Sequence, residues 1–162
     1  VVAALLAFLV VPRGSDAGPR VLTDHAFMAA ANQRCAPAIR RLRPPDDTTS
    51  RAPTNADLAD RVEVVAGALH DLASSLRSLP AAPADLPRIS AWLDDWDRYT
   101  AVGRRFAAAV RAGDEHAQAV IGTEGDRYQR SADRFARGNG LGRCQFFIAP
   151  QGSRSDPFSG GM

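Results

Sequence analysis

The sequence predicts an all-α fold, an antiparallel up-down four-helix bundle preceded by a truncated N-terminal transmembrane helix. Three observations predict it. Amphipathic stretches with apolar residues at helical spacing fill most of the chain after residue 22, separated by breaks rich in Pro, Gly, Asn and Asp. The one strand-like run, Gln145-Phe146-Phe147-Ile148, is too short and isolated to build a sheet. The chain opens on Val1-Val2-Ala3-Ala4-Leu5-Leu6-Ala7-Phe8-Leu9-Val10-Val11, which is uncharged and apolar and stops at Pro12-Arg13-Gly14.

As a helix, residues 1–11 span roughly 16 Å, about half of a ~30 Å hydrocarbon core. The expectation is a partial single-pass anchor in the cytoplasmic membrane, with the rest of the chain on the outer, extracytoplasmic side. The alternative is the apolar core of a secretory signal, with Ser15-Asp16-Ala17 as its small-residue cleavage site. Val1, Leu5, Phe8 and Leu9 are the residues of this run expected to meet lipid or other membrane subunits. Residues 12–22 form a linker, 23–148 the bundle, and 149–162 an extended tail whose single large apolar group, Phe158, is its expected anchor.

The first bundle helix is expected over residues 23–43. Thr23 or Asp24 caps it, and Phe27, Ala31, Cys35, Ile39 and Leu42 recur at helical spacing. Pro44-Pro45 ends it. The second helix starts at a Thr54 or Asn55 cap and ends before Pro80. Its Leu58, Val62, Val65, Leu69, Leu72, Leu76 and Leu79 alternate steps of four and three, an a/d seam. The third starts at Asp85, with Pro87 in the first turn where a missing N–H is harmless, and stops at Gly113. Ile89, Leu93, Trp96, Phe106 and Val110 mark its inner stripe. Trp92 then falls at the edge of that arc and is expected to be partly exposed, available to a partner. The fourth covers residues 114–137, with Ala117, Ile121, Glu124, Tyr128, Ala132 and Phe135 inward and an Asn139-Gly140 stop.

Composition narrows function. The 20 basic residues are all Arg, scattered among 18 acidic ones for a net charge of +2, so no clustered basic face is available for nucleic acid. Arg13 and Arg20 are too few for a polybasic lipid-binding segment. No metal site is expected, because a di-metal bundle needs several Glu and Glu-x-x-His motifs, while this chain has only Glu63, Glu115 and Glu124 without them. Glu124 on an inner face requires a partner, for which Arg61, Arg104, Arg105 and His70 are the candidates. His25, His70 and His116 read as surface residues, and Ser74-Ser75 with a lone His70 do not make a nucleophile, base and orienting acid. Gly138-Asn139-Gly140-Leu141-Gly142 follows a helix and is a stop, not a phosphate cradle. No cofactor is expected.

Cys35 and Cys144 belong to no metal-ligand spacing. An oxidising compartment makes a disulfide the leading reading, and two separate buried thiols the other. Cys35 lies roughly 18 Å along the first helix, and the chain after Asn139-Gly140 can run back ~17 Å to meet it.

The run Trp92-Leu93-Asp94-Asp95-Trp96-Asp97-Arg98-Tyr99, with Arg134-Phe135-Ala136-Arg137-Gly138-Asn139-Gly140-Leu141-Gly142-Arg143-Cys144, resembles uncharacterised membrane-anchored helical-bundle proteins of high-GC actinobacteria. The resemblance covers residues 30–144 and implies an anchor, a helical domain and a pairing of the early and late cysteines. It implies no activity, so no functional residues transfer.

The expected function is that of a non-catalytic accessory subunit of a larger membrane assembly, whose partners are other integral-membrane subunits and the bilayer. The alternative is a cell-envelope binding module for a small apolar ligand or lipid. A cavity between the third and fourth helices, around Gly122 and Gly125, is the feature that favours the alternative.

Overall fold

Three of the four helices begin where the sequence supplies a side-chain acceptor for N–H groups that have no partner within the helix. The computed structural model describes residues 21–42 and 54–146. Helix α1, His25–Leu42, starts at Asp24, whose carboxylate accepts from Phe27 N at 2.9 Å. Helix α2, Asn55–Arg77, starts with a reciprocal capping box between Thr54 and Asp57. Helix α3, Leu86–Ala112, has Pro87 in its first turn and ends at Gly113, where φ is 68°. Helix α4, Glu115–Gly138, is capped by Asp114, which accepts from Ala117 N at 2.9 Å. Gly140, also at φ 68°, turns the chain into a single 3-10 turn, Gly142–Cys144. No strand occurs among the described residues.

The helices alternate in direction. Asp24 pairs with Ala82 and Arg34 with Ser75, so α1 and α2 are antiparallel. Gly103 faces Ala66 and Arg111 faces Asp60, so α2 and α3 are antiparallel too. Arg105 with Glu124 and Trp92 with Phe135 give α3 and α4 the same relation. Helix α3 is the middle of the layer. Helices α2 and α4 both pack on it, while their backbones do not approach each other. Helix α1 packs on α2 and on the 3-10 turn.

The main core therefore lies at one end. Phe27, Leu76, Trp92, Leu93, Trp96 and Leu141 are its largest fully buried apolar side chains. Helix α1 covers this end alone, because its last residues, Arg41 and Leu42, lie beside Ala68 midway along α2. That shortness corrects the expected continuous seam of α2. Leu69, Leu72 and Leu76 are buried, but Val62 and Val65 are half-exposed and Leu58 is 39% exposed. The a/d spacing is present throughout, yet a fourth helix covers only half of it.

Trp92 is a second correction. It is 2% exposed, stacked on Phe135 at 5.3 Å and edge-on to Trp96 at 5.4 Å, so it offers no contact to a partner. The inner arc of α3 is wider than a single stripe because α2 and α4 flank it on two sides. The other expected contact residues, Val1, Leu5, Phe8, Leu9 and Phe158, lie outside the described residues. No described helix is long and apolar enough to cross a membrane, and the run at residues 1–11 also lies outside them.

Three polar residues hold residues 22–24 and 140–143 to this core. Asp85, buried at the start of α3, does not cap its own helix. It accepts instead from Thr23 N at 2.8 Å, Asp24 N at 2.9 Å and the Thr23 hydroxyl. Burial pushes its carboxyl up, but these donors outweigh it and leave Asp85 below the usual carboxylate range. Asn139 accepts from Leu22 N at 2.6 Å and donates to Phe135 O. Asn32 donates to Gly140 O and accepts from Arg143 N. Leu22, placed in the linker by its sequence position, is consequently buried in the core.

An open apolar groove as candidate functional site

Beyond the end of α1, no described residue covers the inner surface of the layer of three helices. Val62, Val65 and Ala66 of α2 form one wall, and Ile121, Gly122 and Gly125 of α4 the other. The floor is α3, through Tyr99, Val102, Gly103 and Phe106. The cavity they enclose is about 240 Å³. It sits between α3 and α4, around Gly122 and Gly125, and continues across to α2.

Glycines shape it in two ways. At Gly125 a methyl group would stand 3.2 Å from Val102 Cγ1 and 3.7 Å from Tyr99, so the missing side chain lets α4 approach α3 closely. At Gly122 a methyl group would meet nothing within 4 Å, so there the missing side chain leaves space. At Gly103, on the α3 floor, a methyl group would stand 3.5 Å from Ala66 Cβ of the α2 wall, an ordinary contact. An interior Gly costs an α-helix about 1 kcal/mol relative to Ala. Helix α4 carries two in its first half, which makes this the locally weakest stretch of the layer.

The polar groups near the groove are few. Asp126 lines it at the α4 side, and Thr100 is committed to Asp97 O. Tyr99 has its phenol pushed up by burial and by the negative charges of Asp126 and Asp133. Asp133, buried below the groove, accepts from Phe146 N at 3.0 Å. Burial raises its carboxyl above the usual value, opposed by that N–H and by Arg137.

Several charged groups pair across the helix seams at the surface. Glu124 meets Arg105 at 2.6 Å and is half-exposed, which answers the expectation of a partnered carboxylate on this face. Arg111 bridges Asp60 and Glu63, and these two partners push its guanidinium further up. Arg77 reaches Asp97 at 2.6 Å and Asp94 at 3.0 Å, while His70 stands 3.5 Å from Asp97. Each pair is solvent-screened, so it orients helices more than it stabilises them. Among the described residues, no group of three or more His, Cys, Asp or Glu is arranged to hold a metal.

A second groove, about 420 Å³, runs between α1 and α2 past Pro37, Ala38 and Leu72. Arg34 at its edge already donates to the Ser75 carbonyl and hydroxyl. Among the described residues, neither groove places a nucleophile, base and acid together.

Cys35 and Cys144 are joined, with Cα atoms 5.0 Å apart, both fully buried. The chain after α4 returns along α1 to reach Cys35, as its length allows. The sequence did not disclose Asp85, Asn139 and Asn32 as the polar anchors of this end, because the partners that tie them across the core are backbone groups 61 to 117 residues away. Asp85 carried a cap signal, but for the wrong helix.

Comparison with known proteins finds no matching family model, no similar curated protein and no similar solved structure.

Proposed function

We propose that this chain is a non-catalytic binding module of the cell envelope that takes a small apolar ligand or a lipid chain in the groove over α3. The observation that carries the reading is the open cavity of about 240 Å³ around Gly122 and Gly125. Side chains of an ordinary helix pair would fill such a space, and apolar walls with few polar groups are the usual lining of small-molecule sites. The buried disulfide supports an oxidising, extracytoplasmic setting.

The test is saturable binding of prodan, a neutral naphthalene dye whose emission shifts in apolar surroundings. Gly122→Leu places an isobutyl group in open space and favours the helix, so it fills the groove without straining the fold. The expected result is at least a tenfold loss of affinity in this variant. Equal binding by wild type and variant at every dye concentration overturns the reading.

The accessory-subunit reading stands second, favoured by the apolar run at residues 1–11. In it, a single-pass anchor sits in the cytoplasmic membrane with the bundle on the outer side, among other integral-membrane subunits. Extraction in mild detergent should then recover the protein with a constant set of such subunits. Recovery as a lone monomer removes this reading and leaves the groove untouched.

A further inference from the structure

The charge around the groove is one-sided. Among the described residues that line it, Asp126 alone is charged, although the chain carries 20 arginines. The arginines of the α3–α4 seam are turned to other partners. Arg105 holds Glu124 at 2.6 Å, Arg98 meets Asp95 and lies over the Tyr128 ring, and Arg127 lies over the same ring. Asp126 itself is loosely paired, to Arg130 one turn on at 3.7 Å, and its side chain is 63% exposed. Burial raises the Tyr99 phenol on the floor, and the negative charges of Asp126 and Asp133 raise it further. This corner favours a positive charge over a negative one.

From this asymmetry we infer that the groove selects apolar amines, with the ammonium head beside the Asp126 carboxylate and Tyr99 and the hydrocarbon part along Val102 and Phe106. The inference rests on the groove being a binding site. Direction follows from the antiparallel helices. Tyr99 and Asp126 lie at the end nearest the core, and Phe106 and Ile121 at the other, because Gly125 meets Tyr99 and Val102 across the seam. An amine seated this way leaves only carbon to face the apolar far end.

Size limits the carbon part. A cavity of about 150 Å³ takes one benzene, so about 240 Å³ takes about nine carbons. The floor from Tyr99 to Phe106 is about 10 Å long. A single octyl chain suits both figures, and a two-chain lipid fits neither. Because Asp126 is well exposed, its charge acts through water. Such a carboxylate favours a neighbouring ammonium by about two- to fivefold in affinity and disfavours a carboxylate head by a similar factor, so the two heads should differ by about tenfold.

The experiment displaces prodan from the full chain at pH 7 with octylamine, octanol and octanoate, which share one chain and differ in head charge. The readout is the ratio of octylamine to octanoate affinity within each protein, so a general change in the groove cancels. Wild type should show a ratio of about ten, with octanol between the two. In Asp126→Asn the ratio should fall below about two. In wild type, raising sodium chloride from about 0.01 M to 1 M, which shortens the screening length from about 30 to about 3 Å, should lower the ratio in the same way. Equal displacement by octylamine and octanoate in wild type overturns the inference and leaves the groove reading intact. A preference for octanoate does the same, as does an octylamine preference that survives both Asp126→Asn and high salt. Absence of prodan binding by wild type overturns the groove reading itself.

Discussion

Breaking the Cys35–Cys144 bridge should cost this protein a large part of its stability. The two cysteines are 109 residues apart, so the bridge closes almost the whole described chain into a loop. In the chain-entropy account, a cross-link over that length removes about 4.7 kcal/mol of conformational freedom from the unfolded state. A domain of this size has roughly 5–15 kcal/mol in total. The cleanest perturbation is reduction, since it keeps both sulfur atoms in place and creates no cavity. Because both cysteines are fully buried, reduction is done in denaturant and the protein refolded under reductant. Urea titrations followed by far-ultraviolet circular dichroism then compare the two forms. With a slope of about 1–3 kcal/mol per molar, the midpoint should fall by roughly 2–4 M, or the folded baseline should vanish. The double variant C35A/C144A should lose at least as much, since it adds a small cavity at the same place. A midpoint shift below about 0.5 M would refute the reasoning. It would mean that residual structure already restricts the unfolded chain, or that the folded bridge is strained.

Two further outcomes follow from the core and its anchors. Trp92→Ala removes a fully buried ring that touches Trp96 and Phe135, and should destabilise by about 3–5 kcal/mol in the same titration; a loss under about 1 kcal/mol would restore Trp92 to the surface. Acid stability should follow two opposite signs. Asp24 is held below its ordinary value by the N–H groups of Phe27 and Ala82, Asp57 by the Thr54 hydroxyl and N–H, and Asp85 by Thr23 and Asp24 despite its burial. Their contribution is complete above the unfolded carboxylate value near 4 and is lost as pH falls through their lower folded values. Asp133 is raised, so the folded state binds its proton first and gains stability as pH falls from neutral toward 4. Thermal melts from pH 7 to 2 should therefore rise slightly before they fall, and Asp133→Asn should abolish the rise; a monotonic decline in wild type contradicts the assignment.

Helix positions were legible because each rests on local chemistry. The Thr54 capping box, the Asp114 cap and the Gly113 stop sit within a few residues of the groups they satisfy. The cysteine pairing was legible for a different reason, since two cysteines outside any metal spacing leave one bridge to form. The open half of the layer was not. The heptad seam of α2 reads identically over Val62 and Leu76, and only the length and starting level of α1 decide which of them is covered. Gly122 and Gly125 could be read as weak points of a helix. That one leaves a void and the other permits a close approach depends on α3, which lies across the seam. Trp92 was misplaced because a helix flanked on two sides buries more of its circumference than one amphipathic stripe.

The bridge also defines a path for tension. A pull applied between residues 21 and 146 travels along the backbone to Cys35, crosses the two sulfur atoms to Cys144, and leaves almost at once. The chain between the cysteines, with α2, α3 and α4, is off that covalent line. Stretching the protein by its ends would load the first half of α1 and the 3-10 turn, while the groove-bearing layer keeps its geometry. Force entering at residue 21 and leaving at residue 146 would bypass the groove, which is thereby mechanically insulated from both.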